Sequence, residues 1–271
     1  MVIGSGPLGC ELAQMFARFG ARTLIFHSEP LFLPQEERDA AQMVSDALAR
    51  DGVEIRLNST ATKVSMDGGQ KVVELVNDVN TATTRVDAIL TGIGRVPAVQ
   101  GLNLKAAGVA YDDEAGVHVD DFLRTSNRRV FAAGDVCLAH QFTNTAAASA
   151  RIVVRNALFL GRDRMSALTV PWCPYTDPEV AHVGMYVKEA RQRRTPVKTI
   201  TIPMHNVDRA IADGEEEGFV KIHVHEGATK FWVPPSGPAC RRDDQQRLNG
   251  HAAGIGLRGL ARIVASTVLS R

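Results

Sequence analysis

The sequence predicts an α/β fold: an open parallel sheet with helices on its faces, followed by a smaller α+β unit. Three observations carry this. A glycine turn stands between a short apolar strand and an amphipathic helix at the start of the chain. Strand-like and helix-like segments then alternate through residues 2–57. Beyond Pro171 the texture changes to short strands around a short helix.

In order, Val2-Ile3 is a strand entering the turn Gly4-Ser5-Gly6-Pro7-Leu8-Gly9. Leu8, Leu12, Met15, Phe16 and Phe19 recur at helical spacing and Gly20 stops that helix. Residues 23–26 form a short buried strand. A second helix carries Ala40, Met43, Val44, Ala47 and Leu48, ends at Gly52, and leads into a strand at 53–57. Residues 61–66 and 71–76 flank Asp67-Gly68-Gly69, a hairpin signal, and 85–90 supply another strand. Val130-Phe131-Ala132-Ala133 reads as a strand stopping at Gly134-Asp135, with a small-residue helix over 144–160. A boundary falls at 161–168. Residues 200–202 and 219–224 are strands and 187–193 a helix. From 233 to 250 the period is lost and the composition reads as loop or disorder; order returns at 254–262.

The composition excludes several function classes. With 31 basic and 30 acidic residues in 271, no net field draws the chain to nucleic acid or an acidic membrane. No apolar run approaches the roughly 20 residues that span a bilayer. The start shows no charged leader with an apolar stretch, so a cytoplasmic setting is expected. Four cysteines, at 10, 137, 173 and 240, are too scattered for a metal site or a disulfide framework. His182 and His205 have no cysteine or carboxylate at ligand spacing, and His223 and His225, alternating on one strand face, read as an exposed strand edge sooner than as a metal pair. No metal is expected.

The glycine pattern sits in its required context, after a strand and opening a helix. Gly4 permits the tight turn, Gly6 lets the backbone approach a pyrophosphate, and Gly9 lets helix and strand pack closely. The helix N-terminus offers free N–H groups and a positive dipole to phosphates. At the end of the second strand, where an acid would bind both ribose hydroxyls of NAD, stand Phe26-His27-Ser28. That favours NADPH, with His27 donating to a 2′-phosphate, unless His27 is simply the exposed end of the strand. Asp135, at the end of a strand and before a helix, suits a hydrogen bond from a sugar or polyol hydroxyl, or a helix cap.

Four blocks together resemble the class I pyridine nucleotide-disulfide oxidoreductases, most closely mercuric reductase and dihydrolipoamide dehydrogenase. They are Val2-Ile3-Gly4-Ser5-Gly6-Pro7-Leu8-Gly9-Cys10-Glu11-Leu12-Ala13, Thr91-Gly92-Ile93-Gly94-Arg95-Val96-Pro97, Thr125 with residues 130–136, and Tyr175-Thr176-Asp177-Pro178-Glu179-Val180-Ala181-His182-Val183-Gly184. The resemblance covers residues 1 to about 229. It implies a Rossmann-like NAD(P)-binding domain at 1–92, a remnant of an FAD-binding domain at 93–165, and an interface domain at 166–271 disrupted after about 230. It implies NADPH or NADH held by Gly4, Gly6, Pro7, Leu8 and Gly9, with His27 and Ser28 at the ribose. Glu11 would lie near the nicotinamide and flavin, Gly94 and Arg95 would line the nucleotide site, and Asp135 would bind the ribityl chain of FAD. It also implies a homodimer.

The departures qualify the activity. The family's first glycine loop, its C-x-x-x-x-C pair and its His-Pro motif have no counterpart here, so a truncated form without its own redox disulfide is expected, holding FAD weakly. In the family hydride passes from NAD(P)H to FAD, then to the disulfide and on to a sulfur group or metal ion. The alternative is a nucleotide-binding, dimerising module with no redox catalysis of its own. The spacer after residue 230 keeps the family's length but not its pattern, which suggests compensating frameshifts and predicts poor order over 231–250.

Overall fold

The structure, a computed structural model, describes residues 1–77, 80–168, 170–225 and 231–238. It divides into two compact units: Met1–Ile93 with the described residues from Cys173 onward, and Gly94–Trp172.

The first unit begins with β1 (Val2–Ile3), α1 (Pro7–Arg18), β2 (Leu24–Phe26), α2 (Arg38–Arg50) and β3 (Glu54–Arg56). Next come β4 (Thr60–Asp67), β5 (Gln70–Val76), β6 (Thr81–Val86) and β7 (Leu90–Thr91). β3, β2, β1 and β7 form a parallel sheet in that order. Two buried strands with short crossover helices require apolar runs, and Ile25 and Phe26 are fully buried. Each such side chain contributes about 2–3 kcal/mol by leaving water. α1 ends at Gly20 and α2 at Gly52, both with positive φ (89° and 87°), the left-handed conformation that closes a helix. β4, β5 and β6 form the antiparallel excursion. Its turn glycines, Gly68 and Gly69, have φ of 56° and 84°, as a tight hairpin needs. The predicted strand at 85–90 is instead the end of β6 and the start of β7, which belong to different sheets.

The second unit holds β8 (Tyr111–Asp112), β9 (Gly116–Val117), a 3₁₀ turn at Gly134–Val136, α3 (Thr143–Leu158) and β10 (Pro171–Trp172). The strand expected at 130–133 is absent. That segment is extended but makes only an isolated bridge, Phe131 to Arg124, with Ala132 N–H donating to Leu123 O at 3.2 Å. Among the described residues no strand flanks it on its other side, so no ladder forms.

The first unit is completed by β11 (Val180–Val183), α4 (Val187–Gln192), β12 (Val197–Pro203), α5 (Asp208–Asp213), β13 (Phe219–His225) and β14 (Phe231–Pro238). β11, β14, β13 and β12 lie side by side, antiparallel at each pairing. Val180 and Phe219 pack into the same core as Val2, Cys10, Ala13, Ile25 and Leu48.

β14 corrects the expectation of loop from 233 onward. Prolines argue against a central strand because they lack the N–H a ladder needs. Here Ser236 faces Lys221 while Val233 faces His223, so three steps on β14 match two on β13. The resulting bulge takes Pro234 and Pro235 out of the ladder. Residues 239–271, with the recovered pattern at 254–262 and most of the proposed frameshifted tail, lie outside the described residues.

Candidate functional site

The glycine turn is built almost wholly from backbone. Gly4 N–H donates to Phe26 O at 2.7 Å and Gly92 N–H to Ile3 O at 2.7 Å, which draws three strand ends together. Gly4 has φ of 101°, and a β-carbon there would sit 2.4 Å from Gly92 O. A β-carbon at Gly9 would sit 2.4 Å from Gly4 O. Both are therefore glycine for internal reasons: nothing larger fits.

Gly6 differs. Its φ of −70° suits any residue, and the nearest atom to an added β-carbon is Gly92 O at 3.8 Å. Nothing inside the protein requires glycine there. A β-carbon at Gly6 would occupy open space in front of the N-terminus of α1. That is the cradle a pyrophosphate needs. Pro7 opens the helix without wasting a donor, and Leu8 stands 55% exposed beside it. Ser5 Oγ and His27 Nε2 are both buried without a protein hydrogen-bond partner. The residues present fit a dinucleotide phosphate.

His27 and Ser28 follow β2 directly. His27 N–H donates to Arg56 O and Ser59 N–H to His27 O, at 3.0 and 2.9 Å, so its backbone is fixed while Ser28 is exposed. Burial pulls the imidazole below its ordinary pKa, partly opposed by the charge of Glu29. The ring is thus neutral near pH 7 and offers a hydrogen bond rather than a charge. Glu11, on α1, accepts from Tyr175 N–H at 2.8 Å, and Gln14 exchanges two hydrogen bonds with the Asp177 backbone at 2.7 and 2.8 Å.

In the second unit Gly94, with φ of 111°, precedes Arg95. The Arg95 guanidinium reaches Asp135 at 3.5 Å and the Gln141 carbonyl. Both side chains are exposed, so the pair adds little to stability. Asp135 lies in the 3₁₀ turn rather than at the end of a parallel strand. Gly134 N–H donates to Ser149 Oγ at 3.0 Å, and a β-carbon at Gly134 would lie 3.2 Å from that of Ala146. The small residues of α3 thus let the Gly134-Asp135 turn sit tightly on the helix. Thr125 is structural: its hydroxyl bonds to Val130 O at 2.9 Å.

The structure also assembles a buried polar cluster that no local pattern signalled. Lys221 Nζ lies 2.7 Å from Glu37 Oε2 and contacts Asp39. His223 Nδ1 meets Thr199 Oγ1 at 2.8 Å, and its Nε2 lies 3.2 Å from Glu37 Oε1, off hydrogen-bond geometry. Burial pushes the Glu37 carboxyl up, but His223 and Lys221 outweigh it and hold it at about 2. Burial raises Glu36 to about 7, against a 2.7 Å hydrogen bond from Tyr186. His182 stacks on Tyr186 at 3.8 Å and burial pulls it down to about 4. The expectation of an exposed edge at His223 is therefore corrected: β13 lies between β12 and β14, and the ring is fully buried. His225's side chain lies outside the described residues.

Among the described residues no cluster of His, Cys, Asp and Glu could hold a metal ion, and no helix is long and apolar enough to cross a membrane.

Residues 1–151 match the family described as pyridine nucleotide-disulphide oxidoreductase, and 170–231 match its dimerisation domain. Mercuric reductase of Staphylococcus aureus is 33% identical over 231 residues, 85% of this chain and 42% of that protein. The probable pyridine nucleotide-disulfide oxidoreductase RclA of Escherichia coli is 33% identical over 82% of this chain and 50% of its own length. The solved structure of the E. coli flavoprotein disulfide reductase RclA has a TM-score of 0.86 at 28% identity, covering 99% of this chain and 61% of that one. The chain thus spans about half the length, or less, of these curated relatives. It belongs to the pyridine nucleotide-disulphide oxidoreductase family, whose members contain FAD and depend on NAD(P)H.

Proposed function

We propose that residues 1–92 bind NADPH or NADH through Gly4, Gly6, Pro7, Leu8 and Gly9, with His27 and Ser28 at the adenosine ribose. On this reading the chain is the nucleotide-handling part of an FAD- and NAD(P)H-dependent oxidoreductase of the mercuric reductase-like group. The observation that carries it is Gly6: a glycine with no internal reason to be one, facing open space at a helix N-terminus. Bound NAD(P)H would supply a hydride. Residues 93–165 form part of an FAD-binding domain, in which the exposed Asp135 carboxylate accepts from the ribityl chain and Gly94 and Arg95 stand nearby. The remainder serves as a dimerisation domain, and two copies form a homodimer. Glu11 keeps α1 in register with Tyr175 beside the nicotinamide end. NADPH use and free thiols suit a cytoplasmic setting.

A second reading, a nucleotide-binding module without its own redox catalysis, is favoured by the cysteines. Cys10 and Cys137 are thiols outside any disulfide. Burial, with the charge of Glu11, raises Cys10 to about 12, and burial raises Cys137 to about 11. Neither is a thiolate at neutral pH, so neither is a nucleophile.

Titration of the purified chain with NADPH and NADH, followed by nicotinamide fluorescence, tests the binding claim. Saturable binding of one nucleotide per chain is expected; none at millimolar nucleotide contradicts it. The visible spectrum separates the two readings. Weak or substoichiometric flavin absorbance supports the module reading, whereas stoichiometric FAD with NADPH oxidation sinks it.

A further inference from the structure

The loop after His27 and Ser28 is held in place by residues 150 to 184 positions away. It runs from Glu29 to Glu37 and joins the end of β2 to α2. From its own side, Arg38 donates to the carbonyls of Phe32, Leu33 and Glu36 at 2.9, 2.7 and 2.8 Å. Leu33 adopts φ of 43°, a left-handed conformation costly for a branched side chain. Such a conformation persists only where its surroundings enforce it.

The surroundings come from the dimerisation segment. Lys188 Nζ lies 3.3 Å from Pro34 O and 3.2 Å from Gln35 O. Tyr186 donates to Glu36, and Lys221 bridges Glu37 and Asp39. Lys221 has a side chain only 9% exposed, and Glu37 one 15% exposed. The ammonium and the Glu37 carboxylate therefore meet largely out of water, Asp39 closes the pair from a half-exposed position, and the buried His223 ring lies alongside. Without the ammonium, Glu37 and Asp39 repel each other at the start of α2, and the loop loses its anchor.

We propose that Lys221 and Glu37 are positioning residues for the adenosine end of the nucleotide site, so that the dimerisation segment sets nucleotide affinity through the 29–37 loop. This rests on the reading of His27 and Ser28 as ribose contacts. The effect is confined to the adenosine half. The glycine turn is held by its own backbone and by Gly92, with no contribution from Lys221.

The test uses the full chain as wild type, Lys221→Met, Lys221→Arg and Glu37→Gln. Hydrogen exchange is measured over 29–37 and over α1, alongside the affinity for adenosine 2′,5′-bisphosphate and for NADPH. In Lys221→Met the loop amides should exchange about tenfold faster with α1 unchanged. Both ligands should weaken by one common factor of about five, and Lys221→Arg should restore most of it. If Lys221→Met does not fold, Glu37→Gln should show the same pattern at about threefold. Equal loss of protection in α1, an unchanged loop, or affinity within twofold of wild type for both substitutions would overturn the proposal. Failure of the wild type itself to bind either ligand removes the nucleotide reading and this proposal with it. That outcome is visible before any variant is made.

Discussion

The β1–α1 turn and the β2–α2 loop, the two parts of the proposed nucleotide site, are built by different means. The turn is fixed by backbone: Gly4, Gly9 and Gly92 interlock at distances a β-carbon would violate. The loop is fixed by side chains, from Arg38 nearby and from Tyr186, Lys188 and Lys221 far along the chain. A backbone-built site is local in sequence and writes itself as a motif. A side-chain-built site is assembled by tertiary packing and leaves no local signature.

Breaking the turn should have the largest effect. Gly4→Ala places a β-carbon 2.4 Å from Gly92 O at a φ of 101°. The combined clash and strain should cost about 3–5 kcal/mol of folding stability, measured by chemical denaturation. A loss under about 1 kcal/mol would show that the turn can relax, and the contrast with the loop would collapse.

The loop should break in a different way. Glu37→Ala leaves Lys221 buried with half its compensation, at a cost of about 3 kcal/mol. The matched control is Asp67→Ala, which removes the exposed pair with Arg85 (56% and 61% exposed) and should cost under about 1 kcal/mol. Equal losses in the two variants would mean that burial of the cluster is not what gives it weight.

The same cluster makes stability depend on pH in two opposite windows. Glu36, raised from 4.5 to about 7, binds a proton more tightly folded than unfolded. Its contribution is complete below about pH 4.5 and is lost as pH rises through 7, amounting to about 3 kcal/mol. Glu37, lowered to about 2, behaves in reverse: its contribution is present above about pH 4.5 and is lost as pH falls toward 2. Denaturation of Glu36→Gln at pH 5 and pH 8 should give a flatter profile than wild type. An unchanged slope would remove Glu36 as its source.

Much of the parallel sheet was legible because its parts are local. Val2-Ile3, the glycine turn, the helical spacing through Phe19 and the stop at Gly20 all lie within twenty residues. The Thr125–Asp135 segment was legible as residues but not as structure, since a strand needs neighbours and this one has only the bridge at Arg124. β14 was missed because Pro234 and Pro235 carry the wrong signal for a central strand, and only pairing on both sides reveals the bulge that accommodates them. His223 was misread because an alternating pattern shows which face a residue takes, not that another strand will cover that face.

The smallest effect concerns coenzyme choice. His27 is neutral near pH 7, so its help to a 2′-phosphate is a hydrogen bond and not a charge. His27→Glu adds an acceptor for ribose hydroxyls and a repulsion of about 1 kcal/mol against the phosphate. The NADPH/NADH affinity ratio should fall about fivefold, and no change would remove this position from the site.

The central claim is that Gly6 serves a ligand while Gly4 and Gly9 serve the fold. Gly6→Val, measured for both melting temperature and NADPH affinity, tests it most directly. The φ of −70° and the open space predict a melting temperature within a few degrees of wild type. They also predict NADPH binding weakened by about a hundredfold or more, because the side chain fills the approach of the pyrophosphate. A variant that melts as wild type and binds NADPH equally well would contradict the account.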